Sequence, residues 1–377
     1  MIRHMQFTAV VVMTLLTTVM AVLPQRVARN RVTDRSRWLM AVATLLLAVQ
    51  FALQYKLRLR DMGVTQAVVL NLPFFILASI LLSMAILCLQ RRGTIHRHEW
   101  MVGIATWGTT VAMLAVAAAT DGMPLLNDTP QLRWAEAAGS VLYALMQGYY
   151  AWLTTGELRR MRKAVAAYYD RSMDGILNWM ERSVWLLTAI AILVPLMIFT
   201  NGSLLGLFAL MIFTATFYLV ICFLCYMVSS DQQLVEVAEA VDVPAPSQPA
   251  SGGRGDTSEA FAHIVEAVEQ WTAHGGHLRQ ELNIQAVADE MHVQRSMLTA
   301  WLKTTEWEVF ATWLTHLRIE EAKRVLKEHP DWSNDYVAQH CGFGSRTYFQ
   351  KKFKETLGVS PGEYVRGVHL FSCSLVL

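Results

Sequence analysis

Seven long apolar runs in the first 230 residues constrain the fold of this chain more than any other feature. Most approach or exceed the ~20 residues that a helix needs to cross a bilayer, and none has a Lys or Arg in its interior. A soluble helical core can hold one or two such runs, but not seven. The sequence therefore predicts a seven-helix transmembrane bundle over residues 1–230, with spans at residues 6–23, 38–55, 64–89, 100–119, 134–153, 184–200 and 204–228.

The charges between these runs predict the orientation of the bundle. The segments 24–37, 90–99 and 154–183 together carry fourteen Lys and Arg, whereas the segments on the opposite side carry five. Positively charged loops stay in the cytoplasm. We therefore predict that the N-terminus lies outside the membrane and that the C-terminus lies in the cytoplasm.

A few polar residues fall inside or beside the apolar runs. Five of them are predicted to form hydrogen bonds between helices rather than to bind a ligand: Gln50, Gln54, Asn71, Gln147 and Asn201. Glu136 either faces a cavity or extends to the membrane surface. The basic amphipathic segment 157–182 also has alternatives: it lies on lipid, extends the fifth span, or docks on the C-terminal domain.

Residues 332–366 have the pattern of two short helices joined by a glycine turn. Gly342 can close the first helix, and Ser345 is a good N-cap for a second helix that ends near residue 356. Apolar residues recur at helical spacing, at Val337, Ala338, Cys341, Phe349 and Phe353. The opposite face of the second helix is polar and basic, with Arg346, Thr347, Gln350, Lys351 and Lys354. This pattern predicts a helix-turn-helix, although an antiparallel helix pair with a charged face would also fit.

Residues 282–303 repeat the same plan, with Leu298 and Leu302 in place of the two phenylalanines. We call residues 282–303 the first motif and residues 334–356 the second motif. Between them, residues 309–326 form an apolar stripe at helical spacing. A helix of that length spans roughly 27 Å, so the two motifs could contact a duplex about one turn, or about 34 Å, apart.

Two such motifs joined by RIEEAKRVL (residues 318–326) and followed by GVSP (residues 358–361) resemble the DNA-binding domain of the AraC/XylS family. The resemblance covers residues 261–366. It implies that base-reading positions fall on Ser296, Thr299 and Ala300 in the first motif, and on Arg346, Thr347, Gln350 and Lys351 in the second. Lys303 and Lys354 complete the predicted DNA-binding set.

The resemblance implies double-stranded promoter DNA as the partner of residues 258–377. It leaves a homodimer and RNA polymerase open as further partners. Residues 259–377 are net acidic, which opposes DNA binding, but residues 346–354 carry four positive charges and no negative charge. The predicted recognition helix is therefore basic although its domain is not.

The whole sequence predicts an all-α protein with three parts: the bundle (1–230), a linker rich in Pro, Gly and Ser (231–257), and a tandem helix-turn-helix domain (258–377). The sequence has no phosphate-binding loop, nucleophile elbow or metalloprotease signature. Cys222 and Cys225 form a CxxC inside the seventh run and are interpreted as packing residues, and the cluster at residues 96–99 is interpreted as a solvated loop and not as a metal site. We therefore expect no enzyme activity, no metal and no cofactor.

The predicted function is that of a transcriptional regulator anchored in the bacterial inner membrane, which senses an unknown signal ligand through its bundle. The alternative is a membrane receptor or transporter whose C-terminal helices bind a protein partner.

Overall fold

The computed structural model describes seven stretches of the chain: residues 2–23, 31–62, 64–120, 128–170, 174–198, 205–229 and 256–366. The regular elements in these stretches are helices, which confirms the predicted all-α class for this part of the chain. Two compact units are present. The apolar unit contains Met1–Arg160 and Asp174–Gln232, and the C-terminal unit contains Met161–Met173 and Gln233–Leu377. The predicted linker, residues 231–257, lies almost wholly outside the described residues.

The apolar unit is built from long helices whose bounds follow the apolar runs. They are α1 (Ile2–Val22), α2 (Arg31–Leu57), the short α3 (Leu59–Met62), α4 (Val64–Gln90), α5 (Arg97–Thr120), α6 (Pro130–Tyr168), α7 (Asp174–Ile198) and α8 (Leu205–Val228). Helix α2 packs against both α1 and α4, and α7 packs against α8. Among the described residues, six helices are long and apolar enough to cross a membrane: α1, α2, α4, α5, α7 and α8.

The fifth predicted span, residues 134–153, lies inside α6, which is on average less apolar than the other six. This helix has 39 residues and is therefore about 58 Å long. Glu136 is buried in it and does not extend to a surface, and no described residue forms a hydrogen bond with its carboxylate. Because α6 continues without a break to Tyr168, the first part of segment 157–182 is an extension of the fifth run.

Buried polar side chains connect the helices of the apolar unit, as the sequence predicts. Asn71 Oδ1 accepts hydrogen bonds from the amides of Gln50 and Gln54, the latter over 2.8 Å. Gln147 on α6 contacts Ser79 and Ser83 on α4. These four glutamine and asparagine side chains are therefore interhelical hydrogen-bonding groups. Asn201, the fifth predicted residue, lies outside the described residues.

The C-terminal unit has two hydrophobic cores that share one helix. Its helices are α9 (Asp256–Ala273), α10 (Ile284–Glu290), α11 (Arg295–Thr304), α12 (Phe310–Glu328), α13 (Asn334–His340) and α14 (Arg346–Leu357). The first half of α12 packs into the core of the first motif, through residues that include Trp313. Its second half packs into the core of the second motif, through residues that include Ile319. Helix α12 lies between the motifs and thus contributes to the cores of both.

Arg318, in the middle of α12, holds the two motifs together. Its side chain is 3% exposed, and it donates hydrogen bonds to the carbonyl oxygens of His277 (2.8 Å) and Arg279 (2.6 Å). Its guanidinium lies 5.8 Å from the centre of the Phe343 ring, in the turn of the second motif. Gly342 belongs to the same junction: a Cβ there would lie 2.5 Å from the Leu278 carbonyl oxygen, and its φ is +78°.

The core of the second motif generates a stability prediction. Phe353 is fully buried, so Phe353→Ala should lower the free energy of unfolding of the C-terminal unit by about 3–5 kcal/mol. Pulse proteolysis in urea of the full chain in lipid nanodiscs measures this loss. Glu355→Ala removes only exposed ion pairs on the same helix and should cost less than about 1 kcal/mol. Equal effects of the two substitutions would contradict this core assignment.

His277 at the junction generates a prediction for the pH dependence of stability. Burial lowers the pKa of His277 below its usual value of 6.5, Glu321 opposes this shift and Arg318 adds to it. The unfolded chain therefore takes up a proton at this position more readily than the folded chain. The stabilising contribution of the neutral ring is fully present above about pH 6.5 and is lost as the pH falls below that value.

We expect His277→Gln to flatten the decline in stability of the C-terminal unit between about pH 7 and pH 5. Amide hydrogen exchange of residues 256–366 at several pH values measures this slope. His263→Gln is the matched control, because the ring of His263 is exposed on α9. A slope that His277→Gln leaves unchanged would show that another group causes the decline.

Candidate nucleic-acid interface

The first motif is built from α10, a tight turn and α11. Asn283 caps α10, since its side chain accepts a hydrogen bond of 2.9 Å from the amide of Ala286. His292 takes the left-handed conformation (φ +55°) in the turn, where the second motif has a glycine. Leu298 and Leu302 are buried beneath α11. This burial confirms the prediction that Leu298 and Leu302 take the place of the two phenylalanines of the second motif.

The second motif follows the sequence prediction closely. Ser333 caps α13 and Ser345 caps α14, each accepting a hydrogen bond of 3.2 Å from an amide three residues later. Phe349 and Phe353 are both buried against the core. Helix α14 therefore presents its polar face away from the rest of the motif.

The predicted DNA-binding residues lie on the exposed sides of α11 and α14. Thr299 and Gln350 are half-buried, and the hydroxyl of Thr299 donates a hydrogen bond to the carbonyl oxygen of Arg295. The remaining predicted residues are exposed: Ser296, Ala300, Lys303, Arg346, Thr347, Lys351 and Lys354. Helices α11 and α14 thus keep most of the predicted side chains exposed.

The cations of α14 differ in how they are paired. Glu355 contacts Lys352 at 2.8 Å and Lys351 at 3.9 Å. Arg346 and Lys354 form no ion pair with any residue in the described part of the chain. The cations at the two ends of α14 are therefore not held in ion pairs among the described residues.

The buried ion pair at the junction of the two motifs was not predicted from the sequence. Arg318 occurs in the RIEEAKRVL sequence, and it lies four residues from both Leu314 and Ala322, on the apolar face of its helix. A charge on that face is a signal that could have indicated a buried ion pair. Its carboxylate partner, Asp170, is 148 residues away in the chain, so no local pattern connects the two.

A family model described as a helix-turn-helix domain matches residues 287–367. The chain is similar to the regulatory protein PocR of Salmonella typhimurium, with 30% identity over 23% of this chain and 29% of that protein. It is also similar to the transcriptional activator RhaS of Escherichia coli O157:H7, with 30% identity over 24% of this chain and 32% of that protein. The chain therefore spans about a third or less of the length of these relatives.

Among solved structures, the chain is similar to the DNA-binding domain of AdpA, a global transcriptional factor, in complex with a target DNA. The identity is 26%, the match covers 28% of this chain and 90% of that one, and the TM-score is 0.25. The residues matched by the family model begin within α10 and include α11, α12 and the whole second motif. The C-terminal region of this chain, residues 287–367, is therefore an AraC-type helix-turn-helix domain.

Proposed function

We propose that this chain is a membrane-anchored transcriptional regulator that binds promoter DNA sequence-specifically and receives a signal through its apolar helices. The exposed basic face of α14 carries the proposal, because Arg346 and Lys354 are free of ion pairs among the described residues. A helix of this kind fits the major groove of double-stranded DNA, and its cations fit the phosphates.

The proposed anchor is supported by an inside-out distribution of polarity in the apolar unit. Leu145 and Trp152 on α6 are 66% and 73% exposed, whereas Ser140 and Gln147 on the same helix are fully buried. Helices in lipid expose apolar side chains and keep their hydrogen-bonding groups inside. The distribution of loop charges favours an external N-terminus and a cytoplasmic C-terminal unit in a bacterial inner membrane, on the side where DNA is found.

The signal is proposed to be read within the bundle or at its outer rim. The longest external segment in the proposed orientation, residues 120–133, is too short for a folded ligand-binding domain. The ligand is unknown. A homodimer and contact with RNA polymerase are further expectations of this function.

The alternative function is a membrane receptor or transporter whose C-terminal unit binds a protein. The net acidic character of residues 259–377 favours it. Footprinting with the full chain in nanodiscs, on genomic fragments that include the DNA upstream of its own gene, separates the two functions. Sequence-selective protection that falls steeply with added salt supports the regulator, and absence of protection at low salt supports the receptor.

We expect two substitutions on α14 to relax base preference. Arg346→Ala and Gln350→Ala each remove a side chain placed to contact base edges, so each should cost roughly 1–3 kcal/mol of binding on the protected site. Binding titrations on the protected site and on single-base variants of it measure the effect. An equal loss on the protected site and on random DNA would contradict the role of Arg346.

Lys354→Ala should instead weaken binding to all sequences alike and reduce the salt dependence, because a lysine at this position neutralises phosphate. The same titrations at several salt concentrations give the slope. Lys327→Ala, at the end of α12, is the charge-matched control outside both recognition helices. If Lys354→Ala changes base preference and leaves the salt dependence of binding unchanged, the lysine contacts base edges and not phosphate.

Labelling of single cysteines tests the orientation. Gln131→Cys lies at the start of α6, and Gly156→Cys lies farther along it, where an added Cβ meets open space. In intact cells, a membrane-impermeant maleimide should label position 131 and should label position 156 only after lysis. Both variants are made in a chain in which all five native cysteines are replaced. Labelling of position 156 from outside would reverse the proposed orientation.

A further inference from the structure

Residues 168–170, where α6 ends, belong to the C-terminal unit and pack there against residues 256–366; we call residues 168–170 the docking segment. Tyr168 packs against the core of the first motif. Tyr169 pairs with Asn283 in an isolated antiparallel bridge. The amide of Asp170 donates to the Leu282 carbonyl oxygen, and the amide of Leu282 donates to Asp170 Oδ2, each over 3.2 Å. Docking on the C-terminal domain, one alternative that the sequence leaves open, therefore occurs at these residues.

Asp170 also forms a buried ion pair with Arg318. Arg318 Nη2 lies 2.8 Å from Asp170 Oδ2, and the two side chains are 3% and 5% exposed. Among the described residues, Asp170 is the one carboxylate that pairs with this guanidinium. Removing one member of a buried ion pair leaves the other charge without compensation, at a large cost in free energy.

The ion pair acts at the junction between the two motifs. Arg318 bonds to the His277 and Arg279 carbonyl oxygens, which precede the first motif, and lies over Phe343 in the turn of the second. The orientation of this guanidinium therefore depends on Asp170 and on both motifs together. A change at Asp170 reaches the second motif through Arg318.

Docking leaves the recognition surface uncovered. The side chains of Arg346, Thr347, Lys351 and Lys354 on α14 are exposed while the docking segment is in place, as are Ser296 and Lys303 on α11. The contact is therefore placed to position the motifs and not to block them.

We propose that the docking segment sets the relative placement of the two motifs through the Asp170–Arg318 ion pair, and so sets the half-site spacing that the chain recognises. Asp170 is in this sense a positioning residue of the DNA-binding surface, supplied by the end of α6. This inference rests on the proposed DNA-binding function.

Asp170→Asn tests the proposal, because it keeps the shape of the side chain and removes its charge. The full chain in nanodiscs is titrated with the footprinted site and with the same site whose half-sites are moved apart by about five base pairs, half a helical turn. The wild-type chain should prefer the native spacing strongly. In the variant this preference should fall roughly tenfold, because binding to the native spacing weakens while binding to the displaced spacing is unchanged.

Two further variants separate positioning from a general loss of folding. Asp289→Asn removes an exposed carboxylate whose hydrogen-bond partner is Gln285 on the same helix, and it should leave the spacing preference unchanged. Asp170→Glu keeps the negative charge and should restore most of the preference lost in Asp170→Asn. If the spacing preference of Asp170→Asn equals that of the wild-type chain, the proposal is wrong.

A disulfide between the docking segment and the first motif gives a measurement that needs no DNA. Residues directly opposite in an antiparallel pair have Cα atoms about 4.5–5.5 Å apart, within the range of a disulfide. Tyr169→Cys with Asn283→Cys should therefore cross-link on mild oxidation. A protease site inserted between residues 231 and 255 reports the disulfide. After cleavage, the two fragments stay joined only if the disulfide has formed. The two single-cysteine chains are the controls.

The cross-linked chain should keep the affinity and spacing preference that the same double-cysteine chain has when it is reduced. Failure to cross-link, or loss of DNA binding that a reductant reverses, would overturn the proposal. If the wild-type chain binds no duplex while the cross-link forms, the proposed DNA-binding function fails and the spacing role fails with it. If the wild-type chain binds DNA and the spacing preference is insensitive to Asp170, only the present inference fails.

Discussion

The arrangement of the C-terminal unit depends on the burial of one guanidinium. Arg318 retains few contacts with water, and a buried charge is tolerated only where fixed polar groups replace its hydration. Burial raises the pKa of the Asp170 carboxyl and lowers that of the Arg318 guanidinium, and the attraction between them opposes both shifts. The two motifs pack so that the Arg318 side chain contacts the carbonyl groups of residues 277 and 279 and the carboxylate of residue 170.

In the apolar unit most of the helix surface is hydrophobic, so the few polar side chains are the groups that need partners inside it. Hydrogen bonds between α2 and α4 and between α4 and α6 place amide and hydroxyl groups inside the unit. Outward positions such as Trp152 are apolar and exposed. The same long helix, α6, thus contributes to this hydrogen-bonded interior and, from Met161 onward, to the C-terminal unit.

Local features of the sequence predicted most of the helices. The capping serines Ser333 and Ser345, the left-handed Gly342 and the spacing of apolar side chains determine structure over a few residues, so the two motifs and the connecting helix could be located. The docking of Asp170 could not, because it depends on a contact between residues distant in the chain. The extent of α6 was also open, since an amphipathic basic segment fits a lipid surface as well as a helix extension.

The C-terminal unit is discontinuous in the chain, and this has a consequence for biosynthesis. Residues 161–173 leave the ribosome before α7 and α8, whereas α12 follows both of them. The Asp170–Arg318 ion pair therefore cannot form during synthesis until α7 and α8 have been made and residue 318 has left the ribosome. The C-terminal unit is completed only at the end of translation, although its first segment is made before the last two apolar helices.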